Sequence, residues 1–183
     1  MNRRNFITGI STATVLGGAY FAFHQHFASH NDAKRIIMFD SLDKAMQELE
    51  ALRTAIHQID LTGNWTLHQH LLHCSQSIEF SIQGFPEEKP ALFQETIGKI
   101  VFSQFENQGY MRHNRNEPIP KAPDLVDNGD IQTAFDRLEK ALIDFQNFQG
   151  NLFPHFAYGK LTKKEYEKAH SMHLADHFSI MTY

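Results

Sequence analysis

Apolar positions recur at a three-to-four-residue step through most of the chain, which is the signature of amphipathic helices. From Ser41, a plausible N-cap, the series Leu42, Ala45, Met46, Leu49, Leu52, Ile56 and Ile59 predicts a first helix. A second is predicted from Trp65 to about Gln83, bounded by Gly63-Asn64 and Gly84, and a third follows Pro90 with Leu92, Phe93, Ile97, Ile100, Val101 and Phe105, running to about Met111. A fourth, from about Asp130 to Phe148, places Ala134, Phe135, Leu138, Ala141, Leu142 and Phe145 on one stripe. The last opens on Thr162-Lys163-Lys164-Glu165, the pattern of a capping box, and is expected to reach about Met181. The prolines fall at 86 and 90, at 118, 120 and 123, and at 154, so none interrupts a predicted helix. No segment has the alternation of a strand. The pattern predicts an all-α fold: a four-helix bundle with an additional helix. The stretch from His113 to Gly129 is rich in proline and patternless, and a loop of that length is expected to cover a site.

The first thirty residues have a different character. Met1 to His30 contains no Asp or Glu, begins with Arg3-Arg4, and continues into an apolar run from Phe6 to Phe23. That is the layout of an export signal, and Arg-Arg-Asn-Phe-Ile is similar to a twin-arginine signal. The run is just long enough to remain as a membrane anchor. The expected organisation is an export signal or anchor over 1–30, a linker over 31–40 and the bundle over 41–183, in an exported, periplasmic protein. Loss of Arg3 and Arg4 on cleavage would take the net charge from −4 to −6. Nucleic acid is therefore not an expected partner, because no basic field exists for phosphates.

Composition adds one anomaly: 12 histidines against a single cysteine, Cys74. A lone cysteine excludes an internal disulfide framework and a multi-cysteine zinc site, and Cys74 is read as a small buried hydrophobe. His24, His26 and His30 belong to the export segment, and His57, His68, His113 and His155 are scattered and read as surface or loop residues. His173 and His177, four apart on the last helix, share one face and can chelate one metal ion. His73, on the second helix with Gln69, Gln76 and Phe80, can be brought opposite them. Three imidazoles on one divalent ion leave positions open for water or substrate. Gln76, Glu79 and His170 are candidates for orienting those ligands. Trp65 is expected in the core. A di-iron site would need a second copy of Glu167-Lys-Ala-His170, and none exists.

In combination, Trp65-Thr-Leu-His-Gln-His-Leu-Leu-His73 through Glu79, Gly84-Phe-Pro, Pro118-Ile-Pro-Lys-Ala-Pro123, Tyr158 through Tyr166 and His173-x-x-x-His177 resemble the DinB-like (DinB/YfiT) superfamily of four-helix metalloproteins. Within it the chain resembles the subfamily called domain of unknown function 1569, from about Phe39 to the end. The resemblance implies one metal ligand from the second helix and two from the last, here His73, His173 and His177. It also implies thiol-using metal-dependent chemistry of the transferase or isomerase kind. The resemblance departs at Ala175-Asp176-His177, where that family's last helix has an acid and then two adjacent histidines.

Two functional classes stay open. One is a metal-dependent transferase or hydrolase acting on a small molecule, with Zn, Ni or Fe as the ion; a periplasmic location weakens the thiol-using version. The other is a non-catalytic metal-binding or structural bundle acting through a protein partner. A homodimer is compatible with either, and membrane contact is expected only through an uncleaved N-terminal segment.

Overall fold

The computed structural model describes residues 33–183, so the export or anchor reading of residues 1–30 lies outside the described residues. What is described is mostly helical. Helix α1, Leu42–Thr54, starts where Ser41 Oγ accepts from the Lys44 amide. It ends before Ile56 and Ile59, which fall in and after a 3₁₀ turn, Ile56–Gln58, where the apolar step continues without the helix. Helix α2, Leu67–Gln83, begins two residues later than Trp65 because Thr66 and Gln69 form a reciprocal capping box, and it stops at Gly84 in a positive-φ conformation. Helix α3 spans residues 91–108 in three consecutive pieces: a turn at Ala91–Phe93, a π-turn at Gln94–Gly98 and a regular stretch at Lys99–Gln108. Gly109 adopts the left-handed conformation at its end, short of the expected Met111. Asp130 caps α4, Ile131–Asn147, by accepting from the amides of Gln132 and Thr133. Thr162 and Glu165 form the expected box at the start of α5, Lys163–Phe178.

The expectation of no strand needs correction. Two-residue strands β1, Asp60–Leu61, and β2, Met181–Thr182, pair antiparallel with Leu61 opposite Met181. A pair this short has no period to read, and it shortens the last helix, since Met181 belongs to β2. Part of the 31–40 segment is docked as well. The Lys34 and Arg35 amides donate to Ser179 O, and Ile37 and Phe39 pack on the core.

Helices α1, α2, α4 and α5 share one core, centred on fully buried Leu52, Leu71, Phe135, Leu138, Leu142 and Phe145. Helix α3 stands apart and makes a second core with the loop before α5. Ile97, Val101, Phe102 and Phe105 pack there with Tyr158, and Met172 closes it from the outer face of α5. Gly98, in the π-turn, allows the close docking, because a Cβ there would sit 2.1 Å from Ala157 O. Helix α5 therefore carries apolar residues on two sides, and its histidines lie where the two cores meet.

Candidate metal centre

Four imidazoles converge between α2, α5 and the loop after α3. His73 comes from the middle of α2, His173 and His177 from successive turns of α5, and His113 from the start of the proline loop. One ligand atom from each lies within 4.8 Å of the others. His73 Nε2 is 3.2 Å from His173 Nε2, and His113 Nε2 is 3.1 Å from His177 Nε2. Nitrogens bound tetrahedrally at about 2.0–2.1 Å from zinc stand about 3.3–3.4 Å apart, so both spacings are close to those of a shared ion.

The surroundings fix part of the proton arrangement. His113 Nδ1 lies 2.8 Å from Asp176 Oδ2 without hydrogen-bond geometry, and the neighbouring carboxylate favours a proton on Nδ1 over Nε2. Asp176 is itself buried and held by Arg115, whose Nε donates to Oδ1 at 3.2 Å and to the Asp176 carbonyl at 3.0 Å. His177 Nδ1 is 2.8 Å from His70 Nδ1, where a proton on His177 leaves its Nε2 lone pair facing that of His113. Two facing lone pairs 3.1 Å apart repel unless a cation lies between them. Burial, and then the neighbouring imidazoles, push His73, His173 and His177 well below the usual histidine range, so these rings are neutral at pH 7. Neutral imidazole is the form that binds metal. The donor set, four nitrogens and no thiolate, suits Zn²⁺, Ni²⁺ or Fe²⁺ over the harder Mg²⁺ or Ca²⁺.

His113 is held in place by its loop. Asn116 Oδ1 accepts from the amides of Asn64 and Trp65, which ties the loop to the entrance of α2. Farther along, side chains of α2 bind the loop's carbonyls: Gln69 at Leu125, Gln76 at Pro123 at 2.9 Å, and His68 Nδ1 at Val126. The Trp65 ring, expected in the core, instead lies against His73 and His70, with centroids 5.1 and 5.5 Å away.

The structure thus brings together His73, His173 and His177 and adds His113, which sequence reasoning left among the scattered residues. Loops have no period to reveal such a residue. The one usable signal was Asp176 between the two α5 histidines, a buried acid needing a partner. The orienting candidates have other attachments. Gln76 holds Pro123, while Glu79 is gripped bidentately by Arg137 of α4 at 2.8 and 2.7 Å. His170 donates to Ser81 Oγ at 3.3 Å and meets the edge of Phe145. His68 and His155, read as surface or loop residues, are buried, since each ring is pinned by backbone groups of a loop folded over it; His57 is exposed. Cys74 is wholly buried, and burial pushes its thiol far up, as befits a small hydrophobe.

A cavity of about 170 Å³ adjoins the cluster. His73, His113 and His173 form one side, Met111, Ala157 and Tyr158 another, and Pro118, Ile119 and Pro120 of the long loop a third. The loop does cover the site, as its length implied. Among the described residues no helix is long and apolar enough to cross a membrane.

Set against known proteins, residues 31–183 match the model of a family described as "Protein of unknown function (DUF1569)". No curated protein and no solved structure matches the chain.

Proposed function

We propose that this chain, which belongs to the DUF1569 family across residues 31–183, is a divalent-metal-binding protein of the DinB-like four-helix kind and a metal-dependent enzyme on a small molecule. The observation that carries the reading is the meeting of His73, His113, His173 and His177, with the Asp176 carboxylate beside His113 Nδ1. The cavity beside the cluster supports an enzyme over a closed structural site, which would have no room for a substrate. When bound, a divalent ion supplies Lewis acidity to a coordinated oxygen or sulfur and lowers the pKa of bound water or thiol. The chain's own contribution is to hold His73, His173 and His177 neutral, place His113 beside Asp176 and Arg115, and exclude bulk water with the proline loop.

Metal analysis of protein purified without an affinity tag tests the premise, with about one equivalent of divalent ion expected for one site. Less than about a tenth of an equivalent, with no thermal shift on adding Zn²⁺ or Ni²⁺, would overturn it. His73→Ala and His113→Ala should each weaken Zn²⁺ binding by about tenfold or more, and exposed His57→Ala should not. Turnover of an ester or of a thiol with an electrophile by the metallated protein tests the catalytic part; metal binding without turnover across such a panel would favour the non-catalytic bundle. Export through Arg3-Arg4 belongs to the same proposal, on the acid-free, apolar layout of residues 1–30, and loss of periplasmic protein in an R3K/R4K chain is the expected result.

A further inference from the structure

The wall of the cavity opposite the loop prolines carries two polar groups that the metal reading does not use. His155 and Tyr158 stack with their rings parallel to within 5° and their centroids 4.2 Å apart, and both line the cavity. They are brought together by a tight turn in which His155 and Gly159 exchange backbone hydrogen bonds, with Gly159 at φ 73°. Inside that turn His155 Nδ1 accepts from the amides of Ala157 and Tyr158, at 3.2 and 3.3 Å. A ring nitrogen that accepts carries no proton, so the neutral ring's proton is on Nε2. Among the described residues Nε2–H has no hydrogen-bond partner, although the residue is only 8% exposed. The Tyr158 hydroxyl is in the same state at 4% exposure. Burial holds the phenol in its protonated form and the imidazole in its neutral form.

Two donors on stacked rings that line one small space, neither used by another protein group, are available to a molecule seated there. The rest of the wall is mixed: Met111, Ile119, Phe156, Ala157 and Ala169 are apolar, and Ser77, Lys89, Glu117 and His170 are polar. For scale, an engineered apolar cavity of about 150 Å³ holds benzene.

We propose that His155 Nε2–H and Tyr158 O–H together bind one acceptor oxygen of a small molecule of about one ring, seated in this cavity beside the four histidines. A carbonyl oxygen, with two lone pairs, can take both donors at once. A purely hydrocarbon ligand would leave both donors unpaired. The inference rests on the functional reading only in taking the cavity as the substrate pocket of the histidine cluster; the two donors depend on no metal ion. Both residues are positioning and specificity groups in this assignment.

Acetophenone and ethylbenzene are suitable probes, having nearly the same outline with and without the carbonyl. Titrated into the Zn²⁺-treated full chain, acetophenone should shift the Met111 methyl resonance and bind about tenfold more tightly than ethylbenzene, as a hydrogen-bond acceptor in a buried site should. Tyr158→Phe removes one oxygen and keeps the stacked ring, and should weaken acetophenone about five- to tenfold while leaving ethylbenzene unchanged or tighter. His155→Asn keeps an acceptor for the two amides but does not reach the cavity, and should act the same way. A thermal midpoint and methyl spectrum like those of the parent show that either variant is folded; if one is not, the other decides. Equal affinity for the two probes, or equal weakening of both in a folded variant, overturns the proposal. Zn²⁺ titration of the same samples separates the two readings. Zn²⁺ binding without selective acetophenone binding rejects the donor pair alone, and acetophenone binding without Zn²⁺ binding rejects the metal centre alone.

Discussion

The two cores of this protein differ in how they treat polar groups. Beneath α1, α2, α4 and α5 the interior is aliphatic and aromatic, and its polar members are paired at once: Ser75 with Leu71 O, Ser81 with Ile78 O and His170 with Ser81. Beside α3 the interior is shared with a loop, docked through Gly98, and flanked by a cavity into which buried histidines and a tyrosine project. The first region is built to be stable and the second is built around a vacancy. In this protein the reactive space opens where one wall is not a regular helix. The third helix and its loops supply that wall.

Substitutions that act on one region and spare the other sharpen the contrast. The largest effect is expected from Phe135→Ala, which empties the centre of the first core and should lower the unfolding free energy by about 4 kcal/mol. Denaturant titration measures it, and Zn²⁺ affinity of the folded fraction should be unchanged. Next is Asp176→Asn, which removes the carboxylate charge beside the buried Arg115 guanidinium and should cost about 3 kcal/mol. Unlike the core change, it should also weaken Zn²⁺ binding about tenfold by releasing His113, read by calorimetry. Gly98→Ala forces a Cβ against Ala157 O and should cost about 2 kcal/mol. Its characteristic sign is loss of selective acetophenone binding with Zn²⁺ affinity kept, since it moves the turn bearing His155 and Tyr158.

The smallest effect concerns His170, which burial holds down at about 3. It stays neutral in the folded chain while its unfolded counterpart takes up a proton below about 6.5. The unfolded state therefore binds more protons between these values, and stability falls as pH drops through that window. Relative to His170→Gln, the parent should lose about 1 kcal/mol more between pH 7 and 5.5. Parallel stability curves for the two chains would show that His170 is not held neutral.

Legibility in the sequence followed the same division. The first core could be read from the helical step, because Ala134, Phe135, Leu138, Ala141, Leu142 and Phe145 face it from one helix and the caps at Thr66, Asp130 and Thr162 are local in the chain. His173 and His177 were legible for the same reason, a spacing of one turn. His113, Arg115, His155 and Tyr158 were not, because each is placed by a loop whose path is set by distant partners: Asp176, Asn64, Trp65 and Gly98. The β1–β2 pair escaped because two residues cannot display alternation.

His113 differs from the other three members of the cluster in what carries it. His73, His173 and His177 ride on helices that share the first core, whereas His113 sits at the head of a loop secured by a few hydrogen bonds. An incoming ion would meet four nitrogens already gathered, three on helices and the fourth on a loop. Capture would then be governed by diffusion to a rigid face and escape by the loop's opening. That asymmetry would give slow exchange with the surroundings without requiring slow loading.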